Sequence, residues 1–146
     1  MEAYLDYNAT TPIDPHVFEA MKPYLTKEFG NASSVHQRGQ AARHVVEMAR
    51  EHIADYLEVE PGDIIFTSGG TEADNLAIKG VLEYFHGKKN QLVVSAIEHQ
   101  AVLQTAQYLE KKGVKVSFIP VDRGGIVNLE VLKEKVTEDT ALVSVM

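Results

Sequence analysis

Four short apolar runs, Ile64–Thr67, Gln91–Ser95, Val114–Ile119 and Ala141–Val145, alternate with helical runs. This alternation constrains the fold more than any other feature. A strand that returns parallel to its predecessor needs a crossover, usually a helix, and the crossover is right-handed. The runs carry little polar alternation, as strands buried on both faces do. They predict an α/β fold with a mainly parallel sheet built from βαβ units. The helices between them are predicted at Thr71–Phe85, Ala101–Lys112 and Leu129–Val136. Ala73, Ala77, Gly80, Val81 and Tyr84 share a face in the first, Gly113 stops the second, and Leu129, Leu132 and Val136 align in the third.

Upstream the pattern is helical. A helix is predicted over residues 14–28, with Asp14 as cap, Pro15 in the first turn, and Val17, Met21, Tyr24 and Leu25 on one face. Gly30-Asn31-Ala32-Ser33-Ser34 reads as a loop. A longer helix is predicted from Gln40 to Leu57, where Ala42, Val45, Val46, Ala49, Ile53, Tyr56 and Leu57 follow the helical period, and Pro61-Gly62 breaks the chain.

The last apolar run reaches Val145-Met146 with no covering helix after it. A parallel sheet needs both faces covered and its edges managed. The sequence therefore reads as the first part of a longer protein, incomplete at the C-terminus. The lone chain is expected to self-associate, and a sharply folded monomer by sedimentation and hydrogen exchange would contradict that.

The 146 residues suffice for one ordinary domain with a core. The net charge of −7 argues against a nucleic-acid binder, whose footprint is basic. There is no cysteine, hence no disulfide framework, thiolate metal site or cysteine nucleophile in this chain. The acidic start is no signal peptide, and no apolar run approaches the ~20 residues that span a bilayer. A soluble cytoplasmic domain without a membrane segment is expected. His16, His36, His44, His52 and His86 lack metal-ligand spacing, so no metal is expected.

In open α/β sheets, ligands bind beyond the carboxyl ends of the strands. Two such ends carry chemistry. At Ser68-Gly69-Gly70-Thr71, a run of β type gives way to a helix whose first N–H groups are free to hold an anion. Neither a Walker loop nor a G-x-G-x-x-G fingerprint is present, and the same turn is also compatible with simple capping by Thr71. At Ala96-Ile97-Glu98-His99, an imidazole follows Gln91–Ser95 and would face the same crevice; a solvated or capping histidine is the alternative.

Taken in order, four segments resemble the landmarks of the cysteine desulfurases of the NifS/IscS type, pyridoxal-phosphate enzymes of the class V aminotransferase group. They are Leu5-Asp6-Tyr7-Asn8-Ala9-Thr10-Thr11-Pro12, Gly30 to His36, Phe66-Thr67-Ser68-Gly69-Gly70-Thr71-Glu72-Ala73-Asp74-Asn75, and Glu98-His99-Gln100-Ala101-Val102-Leu103. The ending Asp139 to Met146 matches the strand before the family's Asn-Asn-Glu segment. The resemblance implies the N-terminal part of a fold-type I large domain, with residues 1–13 as an arm and residues 14–146 as a partial cofactor-binding domain.

It also implies roles. Gly70 and Thr71 would hold the phosphate of pyridoxal 5′-phosphate, and His99 would stack on its ring as a catalytic residue. Asn8, Ala9 and Thr10 would form a strand-like arm at the substrate mouth, with His36 near the same entrance. Gly70 stands where the family more often has alanine, and Ala32 where it has proline, which should loosen the loop before His36. The implied substrate is L-cysteine, converted to L-alanine with sulfur passed to an enzyme cysteine for iron–sulfur cluster assembly or thiolation. Implied partners are a second subunit, in a homodimer, and a sulfur-acceptor scaffold protein. The lysine that binds the cofactor covalently, the aspartate at the pyridine nitrogen and the sulfur-accepting cysteine lie downstream in the family, so this chain alone should be inactive. A stand-alone, non-catalytic phosphate-binding domain, or part of another class V enzyme such as a selenocysteine lyase or an aminotransferase, remain the other readings.

Overall fold

The computed structural model describes residues 3–146; Met1 and Glu2 of the expected arm lie outside them. Contacts divide the chain into two units, one up to Ile65 and one from Phe66 onward.

The first unit is helical. Helix α1 spans Pro15–Thr26, and the Asp14 carboxylate caps it by accepting from the N–H of His16 at 2.8 Å and of Val17 at 3.4 Å. Its apolar stripe, Val17, Met21, Tyr24 and Leu25, is not buried. Helix α2 spans Gln37–Leu57, starting three residues before the predicted Gln40. The reason is His36, whose Nδ1 accepts the Gly39 N–H at 3.3 Å and caps the helix. The loop before it is held by the Asn31 side chain, which accepts the Ser33 N–H at 2.8 Å, and by Arg43 Nε, which donates to the Ala32 carbonyl at 2.9 Å. These bonds supply locally the stiffness that a proline at position 32 would have given.

Gly39 is required here. A Cβ at that position would collide with the backbone carbonyl oxygens of Ser34 and Asn31, neither of which is a flexible side-chain end. Gly39→Ala is expected to destabilise the first unit by about 1–3 kcal/mol, the usual range for overpacking. Urea unfolding followed at α2 would read it, and an unchanged midpoint would contradict it.

The predicted strand Ile64–Thr67 does not join the sheet. Pro61–Asp63 is a single 3₁₀ turn and the sheet comprises three later strands. A β-type run becomes a strand only beside a free edge in register. Here the Ile64 carbonyl is instead taken by the Arg50 guanidinium, and Ile65 is 66% exposed.

The second unit is a three-layer βαβ assembly. It contains α3 (Gly70–Tyr84), β1 (Gln91–Ser95), α4 (Gln100–Lys111), β2 (Lys115–Ile119), α5 (Leu129–Lys135) and β3 (Thr140–Ser144). The order is β2-β1-β3 with both pairings parallel, Leu92 opposite Val116 on one side and Leu142 on the other. The chain leaves β1 towards β2 and then returns past β1 to β3. Right-handed crossovers in opposite directions put α4 and α5 on opposite faces.

The packing agrees. Ile78 and Leu82 of α3, Leu92 and Val94 of β1, and Val102 and Ala106 of α4 form one core on one face. On the other face, where α5 lies, the Gln91 amide donates to the Lys135 carbonyl at 2.9 Å. The central strand is buried at all five positions, as the continuous apolar run predicts, whereas β2 and β3 are only partly covered edges.

Candidate functional site

The strand order runs from β1 to β2 on one side and then back past β1 to β3 on the other, and at such a switch point, here between the parallel strands β1 and β3, open α/β sheets bind ligands in a crevice beyond the carboxyl ends. The candidate residues of the second unit lie at this edge. Helix α3 ends close to the start of β1, so its N-terminus sits at the strands' carboxyl ends; α4 begins there directly, after a four-residue turn.

The two helix starts differ. Helix α3 has Gly69 as N-cap, with no capping side chain; Gly70 and Thr71 are its first two residues, so Thr71 is not the cap that its residue type allows. The first intrahelical acceptor pairing is Ala73 N–H to the Gly69 carbonyl at 3.1 Å. Among the described residues, the N–H groups of Gly70, Thr71 and Glu72 have no protein acceptor. The space where a Cβ of Gly69 or Gly70 would stand is open. An uncapped N-terminus of a fifteen-residue helix, with open space before it, suits an anion.

Sequence reasoning missed the residue that shapes this turn. The Glu72 carboxylate reaches back and accepts from Ser68 twice, from the hydroxyl at 2.6 Å and from the backbone N–H at 2.7 Å. The signal was present, since Ser68 and Glu72 stand four apart across a helix start. These two bonds hold the Glu72 carboxyl below the ordinary glutamate range, the hydroxyl contributing most. A depressed folded-state pKa stabilises the fold above the unfolded value, and that contribution is lost as pH falls through the depressed value. The clasp should therefore persist through neutral pH. On acidification the Ser68 amide and the Glu72 side-chain carbon should titrate together by NMR; independent midpoints would refute the clasp.

Helix α4 is capped by His99 itself. Its Nδ1 accepts the Ala101 N–H at 3.1 Å, which assigns the remaining ring proton to Nε2 and directs that N–H away from the helix. The ring is exposed, while the residue before it, Glu98, is 8% exposed and accepts from the Ser95 hydroxyl at 3.1 Å. Thr71 and Asn75 of α3 line one wall of a shallow groove of about 240 Å³; Ala101, Gln104 and Thr105 of α4 line the other. The two helix starts are thus neighbours, and Gly70-Thr71 and His99 share one edge of the unit.

The first unit holds the remaining candidates. Asn8, Ala9 and Thr10 are exposed and form a turn, not the expected strand-like arm. The cause is local: the Asp6 carbonyl accepts from Ala9 N–H at 3.0 Å, from Thr10 N–H at 3.4 Å and from the Tyr4 hydroxyl at 2.9 Å. His36 is the cap of α2. Among the described residues no group of three His, Asp or Glu is arranged to hold a metal ion, and no helix is long and apolar enough to cross a membrane.

The family pattern described as aminotransferase class-V matches residues 3–146. A curated relative, cysteine desulfurase IscS of Rickettsia bellii, is 50% identical over 144 residues, which are 98% of this chain and 35% of that protein. Among solved structures, a NifS-like protein superposes with a TM-score of 0.92 at 45% identity, covering the whole chain and 40% of the other. SspA in complex with cysteine gives 0.87 at 37% identity, with 97% of this chain and 41% of that one covered. The chain thus spans well under half the length of the relatives it matches.

Proposed function

Because the chain belongs to the class V aminotransferase family, we propose that it is the N-terminal portion of a pyridoxal-phosphate-dependent cysteine desulfurase. One observation carries the reading: the uncapped, glycine-opened start of α3 lies at the same sheet edge as an imidazole whose orientation is already fixed. The residues fit the cofactor. The N–H groups of Gly70 and Thr71, with the Thr71 hydroxyl, would hold its phosphate, and the exposed His99 ring would lie against its pyridine face. An aromatic contact of that kind adds about 0.5–1.5 kcal/mol beyond burial and fixes the ring plane. When bound, the cofactor supplies the electron sink for bond breaking at the substrate.

The substrate is L-cysteine and the products are L-alanine and sulfur bound to a thiolate. This chain has no cysteine, so the accepting thiol comes from outside it. Asn8, Ala9 and Thr10 are assigned to the substrate mouth. A homodimeric enzyme in the cytoplasm, handing sulfur to a scaffold for iron–sulfur clusters or to a thiolation pathway, completes the proposal. The domain reading goes with it: residues 1–13 as an arm, residues 14–146 as part of the cofactor-binding domain.

A longer polypeptide that contains this chain should release alanine from L-cysteine when loaded with pyridoxal phosphate. No alanine above the cofactor-free background would end the proposal. The chain by itself should release none, and borohydride reduction with pyridoxal phosphate should label no single lysine stoichiometrically. Labelling of one lysine would place the covalent anchor here and contradict that part. Independently of turnover, inorganic phosphate or pyridoxal phosphate should shift the amide resonances of Gly70, Thr71 and Glu72 in the chain.

A further inference from the structure

Glu98 is the one buried carboxylate among the described residues, and nothing in the roles assigned so far uses it. It sits in the turn that joins the end of the central strand to His99. Its Oε1 accepts from the hydroxyl of Ser95, the last residue of β1, which is fully buried. The same hydroxyl oxygen accepts the backbone N–H of Met146, just past β3, at 3.4 Å. Ser95 and Glu98 thus tie together the two strand ends that border the crevice.

Burying a carboxylate is unfavourable, and a hydrogen bond from one hydroxyl offsets little of that. As a stabilising device it is poor; an apolar side chain of similar size would be buried at less cost. Buried titratable groups placed at such cost concentrate at functional sites. The turn has four residues, Ala96 to His99, with its start fixed by the Ala96 N–H donating to the Ile119 carbonyl at 2.9 Å and its end by the His99 cap on Ala101. Glu98 closes the only stretch between those two points.

We propose that Glu98 is a positioning residue: through Ser95 it fixes the β1–α4 turn so that the His99 ring is held in one orientation and one tautomer. The inference rests on the reading above for why a fixed imidazole matters. It does not rest on it for its test, which contains no cofactor. Failure here would leave the desulfurase reading standing, and absence of cysteine turnover would leave this result standing.

The experiment uses the ¹⁵N-labelled chain. In the parent, long-range ¹H–¹⁵N spectra should show His99 with its proton on Nε2, and the Ala101 amide should be protected from exchange. Glu98→Ala should let the ring populate both tautomers and should speed Ala101 exchange about tenfold, the loss of one hydrogen bond, while Ala106 inside α4 is unaffected. Ser95→Ala, which keeps the carboxylate and removes its donor, should do the same. Glu98→Gln keeps an acceptor at Oε1 and should restore both signatures. If Glu98→Ala does not fold, Ser95→Ala and Glu98→Gln decide. An unchanged ring and unchanged Ala101 exchange in Ser95→Ala would overturn the proposal, as would a Glu98→Gln variant that behaves unlike the parent.

Discussion

Gln91→Leu is expected to destabilise the second unit by about 2–4 kcal/mol, although it places a leucine in a run that reads as apolar. Gln91 begins the central strand and is 8% exposed. Its amide is fully used. The oxygen accepts from the hydroxyls of Thr137 at 2.8 Å and Thr140 at 2.9 Å; the nitrogen donates to the Lys135 carbonyl at 2.9 Å and to Ser117 Oγ at 3.3 Å. One side chain therefore joins β1, β2, the end of α5 and the start of β3. Leucine has nearly the same volume, so the packing loss is small. The cost comes from the abandoned partners: Thr140 is buried and loses about 1–3 kcal/mol when left without this bond, Ser117 is half-buried, and Thr137 and Lys135 are exposed and can turn to water. That loss is a noticeable part of the ~5–15 kcal/mol that holds a domain of ordinary size. Urea unfolding followed at β1 should show a much lower midpoint. Gln91→Glu should be harmful too, because it keeps the acceptor and loses the donor to Lys135. Parent-like stability in Gln91→Leu would show that water satisfies these groups.

Gly70→Asp is expected to separate the two consequences of the α3 start. Gly70 does not need a left-handed backbone, and the space for a Cβ is open, so aspartate fits. At the first position of a helix a carboxylate is favourable, by about 0.3–1 kcal/mol at an exposed site. Replacing glycine in a helix adds a little more. The variant should therefore melt slightly higher than the parent. The same carboxylate occupies the anion position and repels a phosphate, so phosphate-induced shifts at Thr71 and Glu72 should vanish. In the longer polypeptide, pyridoxal phosphate should no longer be retained on gel filtration. Higher stability with lost phosphate binding is the expected pair. Retention of the phosphate response would remove the α3 start from the site.

Much of this arrangement is legible in the residues. Gln91–Ser95 is a strand at the predicted positions because a short, nearly continuous apolar run between the polar Gly87–Asn90 break and a helix has few alternatives. Helix α4 stops before Gly113, at φ +95°, where only glycine is comfortable. The uncapped start of α3 is legible as two glycines at the opening of a helical run. What the residues could not show is who bonds with whom across distance. Ile64–Thr67 has the composition of a strand and no place in this sheet. Asn8 to Thr10 look extended and are turned back by the Asp6 carbonyl. His36, read as an entrance residue, is a helix cap through Nδ1, and His99 takes the capping role that the sequence leaves open beside ring stacking.

The sequence by itself determined the class of fold, the ordered landmarks of the family, the Asp14 cap of α1 and the Gly113 stop of α4. Those follow from local backbone preference and hydrophobic period, which act within a few residues. Only the tertiary structure decided the strand order β2-β1-β3, and with it the crevice between β1 and β3. It also decided the four-bond role of Gln91 and the burial of Glu98 in the turn before His99. These depend on which groups the packed sheet removes from water. A polar side chain becomes costly or useful only once its neighbours are known.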